Sequence, residues 1–322
     1  MGYSEMDKQL YRKISRALLD GLKSSISTIL FLLKIMVPTS LAVSLLGWSG
    51  ILKVVAGFLS PLMKLIGLPG EAAFVFISGA LLNNYSAIAV LTSLEFSIRD
   101  ATILAVMCLI SHNLITETTV MRSTGSSALK MVVLRVGTAF IAAFILNLLL
   151  SRSSAGIVFS EGTSAGSMAF LPMLAAWGIS TFRLVIKIIV YVLIIMMMQS
   201  VFEEFKLMDF LSKLLEPFMK FFGLPAKASF LWIVINIVGY AYGAGILKSE
   251  AESGRMTKQE SDLFNHHAAI SHSLLEDTIL YSAIAIPLFW LVVPRLVLAT
   301  ASVWLERSRR HYFKRSFKVG TR

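Results

Sequence analysis

Residues 60–74, SPLMKLIGLPGEAAF, return at 216–230 as EPFMKFFGLPAKASF, with identity at eight of fifteen positions and an offset of 156. A second echo lies at an offset of 160, where ISHNLITETT (110–119) recurs as ISHSLLEDTI (270–279). The same offset relates Val132-Val133-Leu134-Arg135 to Val292-Val293-Pro294-Arg295. A chain written twice folds as two like units packed on each other, and doubled membrane folds hold their substrate between the copies.

The repeat is set in hydrocarbon. Hydrophobic residues make up 56% of the chain, charged residues 15%, and mean hydropathy is +0.74, too little polar surface to cover a water-soluble globule. Apolar stretches at 26–48, 102–122, 129–150, 182–203, 265–284 and 288–305 are each near the roughly 20 residues that a crossing helix needs. The expected fold is therefore an all-α polytopic membrane protein of about six transmembrane helices. Residues 1–25, with Lys8, Arg12, Lys13, Arg16 and Lys23, read as an amphipathic basic lead-in helix without the apolar core and cleavage site of a removed signal. The tail 306–322 holds seven Lys and Arg. The net charge of +11 thus orients the chain, placing both termini in the bacterial cytoplasm beside anionic headgroups. Nucleic acid is excluded as a partner because no separate basic domain exists. The single cysteine, Cys108, rules out an internal disulfide and a cysteine-based metal cage.

The first repeat is expected over 26–150 and the second over 182–305, joined by a Ser/Gly-rich extracytoplasmic connector at 151–181. Each opens with a span carrying one lysine, Lys34 or Lys187, whose chain can snorkel to the interface. An amphipathic stretch follows (49–67; 206–223), too charged to cross and suited to the membrane surface. Gly-Leu-Pro at 67–69 and 223–225 ends it, since glycine terminates a helix and proline cannot continue one. Segments 70–98 and 226–248 are apolar but interrupted, by Asn83-Asn84-Tyr85-Ser86 in one and by Gly239-Tyr240-Ala241-Tyr242-Gly243-Ala244-Gly245 in the other. Such breaks are tolerated in a bilayer only where protein or a cavity serves the freed backbone, so both read as re-entrant helical hairpins. The alternative is a complete span with small residues at a packing face. Hairpins invert the two copies, full spans make them parallel, and the inverted arrangement gathers far more Lys and Arg on one side.

Chemistry concentrates after each Ile-Ser-His. Read as continuous helix, His112 and Thr116 share one strip, and Asn113 and Glu117 the next; His272 aligns with Glu276, Ser273 with Asp277, and His266 extends the Ser273 strip. Ionisable groups at this depth face the bundle interior or a water path. Arg135 and Arg295 each follow an acid by 18 residues, so a turn midway sets Glu117 level with Arg135 and Asp277 level with Arg295. These pairs either lock helices together or take part in the mechanism. Two histidines at matching positions, each beside an acid, suit proton or cation handling. His112, His266, His272 and Glu276 are the candidates for a metal, and Met196, Met197 and Met198 read as packing. Phosphate-loop, nucleophile-elbow and zinc-hydrolase motifs are missing, so no enzyme activity and no cofactor are expected.

The order of span, interfacial helix, Gly-Leu-Pro, broken hairpin and Ser-His helix resembles the nucleoside recognition (Gate) domain family, present in two copies over nearly the whole chain. The resemblance implies an inverted-repeat transporter core whose hairpin tips and broken helices enclose a midplane site. Its nucleoside-carrier members carry Gly-Gln-Thr-Glu-Ala-Pro at the hairpin, where this chain reads Leu82-Asn83-Asn84-Tyr85-Ser86-Ala87, so the resemblance bears on architecture more than on solute. The expected function is secondary transport of a small polar solute. Asn83, Asn84, Tyr85, Ser86, Gly239, Tyr240, Tyr242 and Gly243 would touch the solute. His112, Asn113, Thr116, Glu117, His272, Ser273, Glu276 and Asp277 would take a coupling proton or cation. A divalent-metal permease and a non-transporting membrane scaffold are the alternatives, and a homodimer is compatible with either.

Overall fold

In the computed structural model, which describes residues 3–151 and 169–319, charge lies inside and hydrocarbon outside. Arg135, Arg295 and His272 are fully buried, while Val133, Phe144, Leu148, Phe182 and Phe289 are exposed. A lipid-bathed bundle requires this reversal of the water-soluble pattern. Every regular element among the described residues is helical. Four helical stretches there are long and apolar enough to cross: Ile98–Ser123, Ala128–Leu149, Phe170–Glu204 and Leu288–Tyr312. The chain is an all-α polytopic membrane protein.

The first copy runs α1 (Tyr3–Trp48), α2 (Ile51–Leu65), α3 (Ala72–Leu81), α4 (Asn84–Ser93), α5 (Ile98–Ser111), α6 (Leu114–Ser123) and α7 (Ala128–Leu149). The second repeats it as α8 (Phe170–Glu204), α9 (Leu207–Phe221), α10 (Ser229–Ile237), α11 (Tyr240–Glu252), α12 (Lys258–Ser271), α13 (Glu276–Ser282) and α14 (Leu288–Val319). Two boundaries differ from the sequence reading. The lead-in and first span form one helix, α1, which runs through Pro38 without a break. Helix α8 begins at Phe170, twelve residues before the expected span, so only 152–168 of the connector lies outside the described residues. The basic tail continues α14 as helix to Val319.

Helices α2 and α9 behave as interfacial elements. On α9, Phe210, Leu214, Phe218 and Phe221 form an exposed apolar strip at helical spacing, and α2 exposes Val54, Phe58, Leu62 and Leu65. Both end in the same backbone lock. Leu68 N–H donates to Met63 O (3.0 Å) and Gly67 N–H to Lys64 O (3.0 Å); Leu224 N–H donates to Met219 O (2.8 Å) and Gly223 N–H to Lys220 O (3.0 Å). The two glycines have φ of 71° and 75°, the left-handed turn that this C-cap requires. An arginine then ties each corner to a later helix: Arg99 Nη1 donates to Gly67 O (3.3 Å) and Arg307 Nη1 to Gly223 O (2.7 Å).

The interrupted segments are hairpins. A Cβ built on Gly79 would lie 3.1 Å from Ala87 Cβ, and one built on Gly243 would lie 2.2 Å from Ile235 Cγ2. Both pairs are eight residues apart, which in an unbroken helix is a rise of about 12 Å. Each first-copy arm is ten residues, about 15 Å, half the hydrocarbon thickness. The break in the second hairpin is at Gly239, with φ of 103°, and not across the glycine-rich run to Gly245; Gly243 lies inside α11 and packs on Ile235.

Equivalent helices α1 and α8 lie side by side and antiparallel. Gly21 touches Met197, Ser40 accepts from Trp177 Nε1 at 3.1 Å, and Trp48 stacks edge-on against Phe170 at 5.3 Å. Rising numbers on one helix meet falling numbers on the other, as an inverted repeat demands and a parallel one forbids.

Candidate functional site

Each Ser-His pair ends a helix, which overturns the continuous strips expected from sequence. His112 is the C-cap of α5 with ψ of 162°, and Asn113 turns left-handed with φ of 48° before α6. His272 caps α12 in the same way, with Ser273 at φ of 50°. The freed amides dock on the hairpins: Asn113 N–H donates to Gly79 O (3.2 Å), Ser273 N–H to Ile235 O (3.0 Å) and Leu275 N–H to Asn236 O (3.0 Å). Backbone that hydrocarbon would not tolerate is thus satisfied by the first arm of each hairpin.

The buried arginines serve the freed carbonyls. Arg135 donates from Nε to Ile110 O (2.9 Å) and from Nη2 to His112 O (2.6 Å). Arg295 donates likewise to Ile270 O (3.4 Å) and His272 O. Here the copies diverge. Arg135 Nη2 also pairs with Glu117 Oε2 at 2.8 Å, as the 18-residue spacing suggested. No Arg295–Asp277 pair occurs among the described contacts, because the α12–α13 break rotates Asp277 toward the other copy, where its Oδ2 lies 3.4 Å from His112 Nε2.

The two histidines meet on the axis between the copies. Their Nε2 atoms are 3.2 Å apart, and Glu117 Oε1 lies 3.1 Å from His272 Nε2 and 3.3 Å from His112 Nε2. Each Nδ1 faces the carbonyl of the residue four earlier, Cys108 O at 3.1 Å and Ala268 O at 2.7 Å. His112, Glu117, His272 and Asp277 are all buried.

Polar residues extend this centre in two directions, again across the copies. On the first-hairpin side, Tyr85 OH donates to Glu276 Oε1 (3.0 Å) and Tyr281 OH to Asn84 Oδ1 (3.3 Å). Asn84 Nδ2, Ser86 Oγ, Thr118 Oγ1 and Thr278 Oγ1 are buried without a hydrogen-bond partner among the described residues. On the other side the Tyr240 ring lies 5.4 Å from the His272 ring, and its hydroxyl donates to Asn265 Oδ1 (3.0 Å). Asn265 Nδ2 donates to Ser126 Oγ (3.0 Å), and Ser126 Oγ to Asp262 Oδ1 (2.6 Å). Asp262 lines a cavity of about 500 Å³ with Lys130, Lys258, Arg309 and Arg310.

Several expected residues lie elsewhere or do other work. Thr116 faces outward and is exposed, since the break at Asn113 turns it from His112. Asn83 caps α4, accepting from Ser86 N–H at 2.9 Å. Gly239 borders Ser273 and Glu276, whereas Gly243 is a packing position. The side chain of Tyr242 lies outside the described set. His266 is remote from the histidine pair and sits with Asp262 (3.7 Å) and Glu306 (4.0 Å), acids already engaged by Lys130 and Arg310. Lys34 and Lys187 are exposed, as snorkelling side chains are. Sequence reasoning passed over Tyr281, Asn265, Ser126 and Asp262. Only Asp262 carried a signal, one helical turn before His266.

Residues 29–128 and 185–301 match the family described as Gate: Nucleoside recognition. YvoD, an uncharacterized membrane protein of Bacillus subtilis (strain 168), is 29% identical over 308 residues, covering 94% of this chain and 96% of the relative. No solved structure matches the chain. Each matched segment falls within one structural copy, and the chain belongs to the nucleoside recognition (Gate) family of membrane proteins.

Proposed function

We propose that this protein is a secondary transporter, with both termini in the cytoplasm, that moves a small polar solute together with a coupling cation or proton. One observation carries the reading: four broken segments from two inverted copies converge on His112, Glu117, His272 and Asp277, all buried. Burying that many ionisable groups in a lipid-embedded bundle is expensive and is a mark of ion pathways.

The parts divide by charge. Helices α5 and α12 end at the histidines, and helix C-termini favour positive charge. The N-termini of α4 and α11 present Asn84, Tyr85 and Tyr240 to a polar or anionic solute group, beside the unpartnered Ser86, Thr118 and Thr278 hydroxyls. Hydrogen bonds linking the copies, Tyr85 to Glu276 and Tyr281 to Asn84, open and close as the copies rock. Asn265, Ser126 and Asp262 lead from the centre to the basic cavity.

Purified protein in proteoliposomes tests this with labelled uridine, adenosine and succinate as probes. The expected result is saturable uptake of at least one probe, lost in the His112→Ala/His272→Ala double variant. Uptake unchanged in that variant removes the coupling role. No uptake of any probe, joined with Asn84→Cys inert to aqueous maleimide, refutes transport and leaves a membrane scaffold.

A further inference from the structure

The geometry points to a binding site for a divalent transition-metal ion of the zinc and cobalt class, held by His112 Nε2, His272 Nε2 and Glu117 Oε1. The inference rests on the reading above that this cluster takes the coupling cation, and it names the ion.

Tautomers come first. A carbonyl oxygen can only accept, so the contacts to Cys108 O (3.1 Å) and Ala268 O (2.7 Å) place a hydrogen on each Nδ1. Each ring, when neutral, then presents a bare Nε2 lone pair. Those lone pairs face each other at 3.2 Å with a carboxylate oxygen 3.1 and 3.3 Å away, three acceptors turned on one point. A single proton on either ring relieves two of these edges and leaves the third repulsive. A metal ion relieves all three.

Dimensions agree. Ligands about 2.0–2.2 Å from a tetrahedral ion lie about 3.3–3.6 Å from one another, and the three observed edges fall within about 0.2 Å of the lower bound. The supporting contacts are those that metal-binding imidazoles and carboxylates use. Both Nδ1–H groups are fixed on backbone carbonyls, and Arg135 at 2.8 Å holds the second oxygen of Glu117. Two imidazoles select against calcium and magnesium, which take oxygen ligands. The fourth corner is not closed by a fixed ligand. Asp277 Oδ2, buried 3.4 Å from His112 Nε2, is the carboxylate nearest that corner. A closed structural site has four fixed protein ligands, whereas three with an open corner leave a position for water or a solute atom.

Chelator-treated full-length protein in detergent is titrated with Co²⁺ and read by visible absorption and calorimetry. The expected result is one Co²⁺ per chain with the intense bands of tetrahedral nitrogen–oxygen coordination, displaced by Zn²⁺. His112→Ala and His272→Ala each lose the bands, and His266→Ala keeps them. A wild-type chain that binds no Co²⁺ overturns the proposal and leaves a shared proton at the histidine pair. Bands that survive in both His112 and His272 variants overturn it too, by placing the ion elsewhere. The wild-type titration decides even if a variant fails to fold. Because the readout is binding, a negative result leaves solute uptake standing, and failed uptake joined with an inert Asn84→Cys refutes transport without touching the metal site.

Discussion

Replacing Gly243 with alanine separates a hairpin from a straight helix by the sign of its effect. In an unbroken helix Ile235 would lie about 12 Å away along the axis, and Gly243→Ala would stabilise by about 0.5–1 kcal/mol through lower unfolded-state entropy. In the hairpin the added Cβ meets Ile235 Cγ2 at 2.2 Å and Ile235 Cα at 3.4 Å. Isoleucine is stiff at χ1 and cannot swing that methyl aside without changing rotamer. Overpacking of this kind costs about 1–3 kcal/mol, which outweighs the entropic gain and leaves a net loss of up to about 2.5 kcal/mol. The chain supplies its own reporter in Cys108, its only cysteine, fully buried in the other copy. Thermal unfolding followed by a thiol-reactive dye should show the midpoint falling by up to about 4 °C. In an Ile235→Ala background the same change should raise the midpoint, giving a coupling of about 1–3 kcal/mol. A rise in the wild-type background, or equal effects in both, would refute the hairpin.

Other substitutions grade the remaining contacts by the same assay. Arg135→Ala strands the Glu117 carboxylate and two helix-end carbonyls, and should lower stability by about 3–5 kcal/mol, with part recovered by adding Glu117→Gln. Gly67→Ala must hold a left-handed φ of 71° and place Cβ 1.9 Å from Asn147 Oδ1, whereas Gly50→Ala at φ of 77° meets nothing within 4 Å. Left-handed strain alone is about 1–2 kcal/mol, so the Gly67 variant should unfold at a clearly lower temperature than the Gly50 variant. Tyr85→Phe removes the hydrogen bond to Glu276 and should destabilise by about 1.5–3 kcal/mol, an effect that disappears when Glu276→Ala, which has no acceptor, is already present.

The architecture was legible because its signals are local. Gly-Leu-Pro closes both interfacial helices through left-handed glycine, and the Asn83–Ser86 break appears as an Asn-capped turn. The Glu117–Arg135 pair followed from spacing alone. The breaks after His112 and His272 were hidden, since apolar residues continue at helical spacing through Ile110 and Leu114. What stops these helices is tertiary: Gly79 O and Ile235 O take the amides of Asn113 and Ser273, and the two arginines take the carbonyls. One break moved Asp277 away from Arg295 and toward His112, a partner 165 residues distant in the chain. Pairings between copies, such as Tyr281 with Asn84, leave no trace in spacing within either copy.

Lys64 and Lys220 occupy the same place in the two copies, both exposed at the ends of interfacial helices. Single cysteines at these positions, probed in intact and then permeabilised cells with a membrane-impermeant maleimide, test the inversion directly. The account predicts that Lys64→Cys reacts in intact cells and Lys220→Cys only after permeabilisation. Reaction of both from one side of the membrane would contradict it.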